Sequence, residues 1–292
     1  EAAFKFARKW ARAKHDPYEK TGIVAFEGSF HGRTTGSLAA TSKSKYRSPF
    51  EPLMPGILFA TLNDIASAKK AITNETCAVI VEPIQGEGGV HLASKVFLSE
   101  LRGLCDQHQA LLIFDEVQCG LARTGNLWAY QNSGVQPDIM TLAKPLAGGL
   151  PIGATLVTED VAQTIQPGDH GSTFAAGPLV CKAAQVVFDR VSQPDFISNV
   201  SKTGKYLKQR LMELEPQHLV EIRGSGLLIG AQFACAIDPL IQAAAKRGLL
   251  LISAGENILR LCPPLIITME QVDEAIAIID ESIPPLKKIL IG

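Results

Sequence analysis

The chain has 292 residues, 46% of them hydrophobic and 20% charged, with a formal net charge of −1. It is long enough for one large core or two domains. Near-neutral charge gives no electrostatic reason to expect nucleic acid or an anionic membrane as a partner, and no apolar run is long enough to span a bilayer.

Residues 1–15 open at once as an amphipathic helix, with Phe4 and Ala7 on one face and no capping residue before them. This reads as a piece that starts inside a helix, with any targeting segment upstream. A strand is predicted over 21–26, followed by a polar loop over 28–34 and a helix over 65–72. A buried strand at 77–81 runs into Glu-Pro-Ile-Gln-Gly-Glu-Gly-Gly (82–89), where proline and glycine impose a loop. Helix 94–108 and strands 111–114, 139–143 and 152–157 follow. A helix at 178–190 is interrupted near residues 193–194, and 199–214 is helical again. Beyond Val220 the texture becomes strands at 220–223, 227–234, 249–252 and 259–262, with helices at 238–246 and 270–283. Alternating strands and helices predict an α/β fold, a mostly parallel sheet with helices on both faces, over 1–195. A smaller α+β domain is expected over 196–292.

Six cysteines, at 77, 105, 119, 181, 235 and 262, include no Cys-x-x-Cys pair. They read as free thiols, with neither a disulfide frame nor a metal site.

Two polar residues close apolar runs. Asp115 ends Ala-Leu-Leu-Ile-Phe-Asp (110–115), and Lys144 follows Ile-Met-Thr-Leu-Ala (139–143). In open α/β sheets, ligands sit at the carboxyl ends of strands. A helix cap or a structural ion pair would also account for Asp115, and an exposed loop for Lys144. Burial would lower the lysine pKa and give an amine able to attack an aldehyde. A carboxylate and a lysine on neighbouring strands together suit pyridoxal 5'-phosphate, whose aldehyde takes an amine and whose ring nitrogen holds a proton.

Weaker motifs surround this pair. Phe30, His31 and Arg33 share one loop: the ring of Phe30 can stack on a planar group, Arg33 can bind a carboxylate bidentately, and His31 reads as structural. The loop 82–89 carries two carboxylates that could equally be solvated. Ser172 and Thr173 offer hydroxyls to a phosphate, or act as caps. Arg260 sits in an apolar strand and needs an acid, and Arg223 is a lesser candidate.

In order along the chain, the runs beginning at Phe30, Val81, Leu111, Pro137, His170 and Leu259 resemble the class III aminotransferases, which use pyridoxal phosphate on the fold-type I scaffold. The similarity covers essentially the whole chain. Within the class, residues 41–56 and 143–154 are similar to the plant-like enzymes that act on N2-acetylornithine.

The resemblance implies transfer of the δ-amino group of acetylornithine to 2-oxoglutarate, giving glutamate. It makes Lys144 the covalent lysine and the base, and sets Asp115 at the ring nitrogen. Phe30 and Val117 would lie on the two ring faces, with His31 also in the cofactor site and Gln118 at the phenolic oxygen. Ser172 and Thr173 would reach the cofactor phosphate of a second subunit, so the enzyme would be a homodimer. Arg33 would bind the distal carboxylate of either substrate and Arg260 the α-carboxylate of glutamate, with Glu87 covering Arg260 when acetylornithine is bound. The plant-like motifs imply a mitochondrion or plastid.

Two runs depart from the common pattern. Pro145 stands where many members have glycine, and Ala-Ala-Gly-Pro (175–178) replaces Gly-Gly-Asn-Pro. The family's Ser-Gly-Thr phosphate turn would precede residue 1, so this stretch alone is expected to retain the cofactor poorly. Ornithine or 4-aminobutyrate aminotransferase, an aminomutase, and a non-catalytic binding homologue remain alternatives.

Overall fold

A computed structural model describes residues 1–15, 19–214 and 219–283. The larger sheet has six strands: β1 (Gly22–Phe26), β2 (Ile57–Ala60), β3 (Thr76–Val81), β6 (Leu111–Asp115), β7 (Ile139–Leu142) and β8 (Ala154–Val157). Their spatial order is β2-β1-β3-β6-β7-β8. All neighbours are parallel except β8, which runs antiparallel to β7.

Side-chain alternation along these strands builds two cores. Ile23, Ala25, Ala78, Ile80, Leu111 and Ile113 face the first helix (Ala2–Lys14), which contributes Phe4, Ala7, Trp10 and Ala11. Val24, Phe26, Val79, Val81, Leu112 and Phe114 face the helix Lys95–Gln107 through its Phe97, Leu98 and Leu101. That helix starts where Ser94 accepts the Phe97 N–H, and Asp64 caps Ile65–Ala71 in the same way; each such cap contributes about 1 kcal/mol. Helices on both faces therefore cover a mostly parallel sheet, as the alternating pattern predicts.

The second sheet has four strands, and its neighbours run antiparallel. Its strands are β9 (Leu219–Ser225), β10 (Leu228–Phe233), β11 (Ile252–Ser253) and β12 (Ile258–Leu261). One face packs Ile229, Ala231, Phe233, Leu259 and Leu261 against the helices Pro194–Met212 and Met269–Ser282. The other face meets a two-stranded hairpin, β4 (Ile84–Gln85) with β5 (His91–Leu92), through Leu228, Val90 and Ile84. β4 lies inside the stretch 82–89 predicted as loop and β5 just beyond it, and the hairpin joins the two sheets.

Several elements differ from expectation, and β2 lies where no strand is predicted. β2 follows Pro55 and Gly56 and carries no strong pattern, because it is a half-exposed edge strand. The strand predicted over 249–252 shrinks to Ile252–Ser253, and Leu250 is 88% exposed. The helix expected from 199 begins at Pro194, whose fixed φ suits a first helical turn. All six cysteines are free.

Candidate active site

The carboxyl end of β6 places Asp115 in register with Thr141 of β7. The Asp115 side chain is buried. Its Oδ1 accepts the Val117 N–H at 3.0 Å and the Thr141 hydroxyl at 3.3 Å. Its Oδ2 lies 2.8 Å from His31 Nδ1. His31 is itself enclosed, with a side chain only 1% exposed, and among the described residues its buried Nε2 finds no partner. His31, Asp115, Val117 and Thr141 line a cavity of about 500 Å³.

Lys144 follows β7 by two residues, at the same end of the sheet. It opens the turn in which Leu146 N–H donates to the Ala143 carbonyl. The sequence reading had it desolvated; instead Lys144 is exposed. Its strand is apolar, but the lysine itself clears the sheet edge and projects from a turn of proline and glycine. Ser172 and Thr173 are exposed as well.

A second group gathers under the antiparallel sheet. Arg260, on β12, is 6% exposed and donates through Nη1 to Glu87 Oε1 at 2.6 Å and more weakly to Gln118 Oε1 at 3.4 Å. Gln118 lies so close to Gly86 that a Cβ at residue 86 would overlap its amide. The loop of residues 30–33 forms a third group. Arg33 is exposed, and its guanidinium carbon sits 3.7 Å from the centroid of the Tyr46 ring and 5.6 Å from that of Phe30. A cation over an aromatic face keeps its charge available while its plane is held. Tyr46 was not legible as part of this group.

Glu82 is one of the two loop carboxylates for which the sequence leaves solvation open. It is buried, and its two oxygens accept the Phe30 N–H at 2.8 Å and the Gly86 N–H at 3.3 Å. Desolvation pushes its carboxyl up to about 7; His31 opposes this and the Asp115 charge adds to it. Glu116 is similar: burial raises it to about 7, against hydrogen bonds from the Tyr130 and Ala129 N–H groups. Both acids follow a buried strand directly, the same signal that marks Asp115.

These raised values have a sign. A carboxyl whose folded pKa exceeds its ordinary 4.5 stabilises the fold below that pH, and the contribution is lost as pH rises through about 7. Urea midpoints should therefore fall between pH 5 and 8, and Glu82→Gln should fall less than the parent over the same interval. A parallel fall in both would remove Glu82 from this account.

The model of the family described as "Aminotransferase class-III" matches residues 1–283. The chain belongs to the class-III aminotransferase family. The mitochondrial acetylornithine aminotransferase of Alnus glutinosa is 53% identical over 295 residues, covering 99% of this chain and 65% of that protein. A succinylornithine transaminase of Yersinia pseudotuberculosis is 47% identical over 288 residues, covering 95% of this chain and 70% of the relative. The ornithine aminotransferase of Toxoplasma gondii superposes with a TM-score of 0.89 at 32% identity, covering 96% of this chain and 69% of that one. The chain thus spans about two thirds of the length of these relatives. The sheet order and covering helices are those of fold-type I transferases, and pyridoxal 5'-phosphate is the cofactor of the class-III family.

The residues present fit that cofactor. A buried carboxylate faces an open cavity, its two oxygens are already oriented, and it has acceptor capacity left for a ring N–H.

Proposed function

We propose that the protein transfers the δ-amino group of N2-acetylornithine to 2-oxoglutarate, giving N-acetylglutamate 5-semialdehyde and glutamate in arginine biosynthesis. The observation that carries this reading is the Glu87 to Arg260 ion pair, at 2.6 Å. A donor that reacts at its far amine lays an apolar chain beside Arg260, where an unpaired buried guanidinium would cost several kcal/mol. Glu87 removes that cost. Glutamate brings its own α-carboxylate, and Glu87, whose side chain is 29% exposed, has room to turn away. Similarity to the Alnus relative supports acetylornithine as the donor.

Pyridoxal phosphate, when bound, supplies an aldehyde that accepts the amino group and a ring that withdraws electrons. The chain's residues then have distinct tasks. Asp115, oriented by His31 and Val117, would keep a proton on the ring nitrogen. Lys144 Nζ would hold the cofactor and would serve as the base that moves the proton during amino transfer. Phe30 and Val117 would hold the ring, and Gln118 would offer it a hydrogen bond. Arg33 binds the distal carboxylate from its platform on Tyr46.

Ser172 and Thr173 are assigned to the phosphate of a second protomer, which makes the enzyme a homodimer. The apolar surface next to them supports this: Phe174 is 91% exposed, Leu179 79% and Val186 59%. An organelle, mitochondrion or plastid, is the assigned compartment, in keeping with the Alnus relative. No helix among the described residues is long and apolar enough to cross a membrane.

A donor panel with 2-oxoglutarate tests the reading. Acetylornithine should give the highest kcat/KM, ahead of ornithine and 4-aminobutyrate; a preference for either of those two would replace it. Glu87→Ala should depress the acetylornithine half-reaction more than the glutamate half-reaction, and equal kinetics in both would remove the switch.

A further inference from the structure

The segment that carries Glu87 is glycine-rich, with glycines at 86, 88 and 89. Glycine loses more conformational freedom on ordering than any other residue. Left to itself, such a segment would not present a carboxylate in one place. It is held at both ends. Glu82 accepts the Gly86 N–H, and the Gly89 carbonyl accepts a 2.7 Å hydrogen bond from Arg223 Nε.

Arg223 is itself fixed. It is 8% exposed, and its Nη1 donates to Glu221 at 2.6 Å and to Gln232 at 2.9 Å. Gly230 of β10 pairs with Arg223 on β9 and with Arg260 on β12. The two arginines therefore stand in one row, two strand spacings apart, roughly 10 Å. From one rigid sheet they grip two points of the same short segment. The fit is close: a Cβ at Gly230 would come 2.9 Å from Val90 Cβ, and Val90, wholly buried, is held at a φ of 57°. A β-branched residue in the left-handed region persists only where its surroundings over-determine it.

Resting on the switch reading above, we propose that Arg223 is a positioning residue for substrate discrimination. It anchors the Gly89 carbonyl so that the Glu87 carboxylate meets Arg260, and it is the fixed pivot about which residues 86–88 turn when Glu87 leaves.

The test compares single-turnover half-reactions with acetylornithine and with glutamate in the full-length holoenzyme, alongside thermal unfolding. Arg223→Gln should lower kcat/KM for acetylornithine by roughly tenfold, the size of one lost hydrogen bond to a charged group, and leave the glutamate half-reaction within about twofold. Arg223→Lys should recover part of the loss. Equal losses in both half-reactions, tracking a fall in Tm, would mean a merely structural role and overturn the proposal. If Arg223→Gln does not fold, the Arg223→Lys ratio decides: a shift against acetylornithine supports the pivot, and no shift overturns it. Glu87→Gln separates the two layers. A shifted ratio for Glu87→Gln with none for Arg223→Gln sinks the pivot alone. No shift in Glu87→Gln sinks the switch, and the pivot with it.

Discussion

Lys144→Ala should fold normally and lose transamination by roughly 10⁴-fold or more, because the covalent attachment and the proton transfer proposed for it fall to the same amine. The folding half of this expectation follows from place. Lys144 is exposed in a turn beyond β7, and a substitution there shifts stability by about 0.5 kcal/mol or less. Urea unfolding should therefore superpose on the parent while single-turnover kinetics collapse. The activity half follows from the arrangement of the sheet. Asp115 and Lys144 lie at the carboxyl ends of adjacent parallel strands, the arrangement that the proposed roles require. Retention of a tenth of the parent rate would take Lys144 out of the chemistry.

The exposure of Lys144 also shows what an apolar run does and does not reveal. The run 139–143 correctly marks β7 as buried, yet burial of a strand says nothing about the residue two places past its end. Asp115 differs because it is still the last residue of its strand. Where a strand is central, the sequence marks it: β3 and β6 are buried along their whole length, and residues 77–81 and 111–114 read as unbroken apolar stretches. Where a strand lies at an edge, it is not. β2 is half exposed and has no distinct pattern, and the leucines at 249–251 imitate a strand that exists only at Ile252–Ser253.

Within the site, Glu82 was within reach of sequence reasoning, since it follows buried β3 as Asp115 closes β6. The proline and glycines after it leave solvation open. The Tyr46 platform under Arg33, the left-handed Val90 and the row formed by Arg223, Gly230 and Arg260 depend on register and tertiary contact, to which no local pattern is sensitive. The ordered set of motifs did identify the family, because conjunction along the chain carries information that each short motif lacks.

Asp115→Asn is the sharper companion to the lysine test, since it removes a charge while keeping shape. The amide oxygen can stay on the Val117 N–H and the Thr141 hydroxyl, which both donate to Oδ1. The amide nitrogen then faces His31 Nδ1, and the imidazole must present a lone pair there, which its other tautomer allows. Geometry survives, but no anion remains to keep a ring nitrogen protonated. Loss of one preorganised electrostatic partner of this kind costs roughly 10²- to 10³-fold in rate. Activity within tenfold of the parent would show that the ring nitrogen is served by another group. The substitution carries a second readout that needs no cofactor. The Asp115 charge helps to raise Glu82, so its removal should bring the Glu82 carboxyl back toward its ordinary range. The pH interval over which Glu82 withdraws stability then narrows from its upper end, and the urea midpoint of Asp115→Asn should change less between pH 5 and 8 than that of the parent. His31→Phe should move Glu82 the opposite way, because the imidazole opposes the rise. If the two substitutions shift the pH profile in the same direction, Glu82, His31 and Asp115 do not form one electrostatic unit, and the rate loss in Asp115→Asn must be assigned to the ring nitrogen alone.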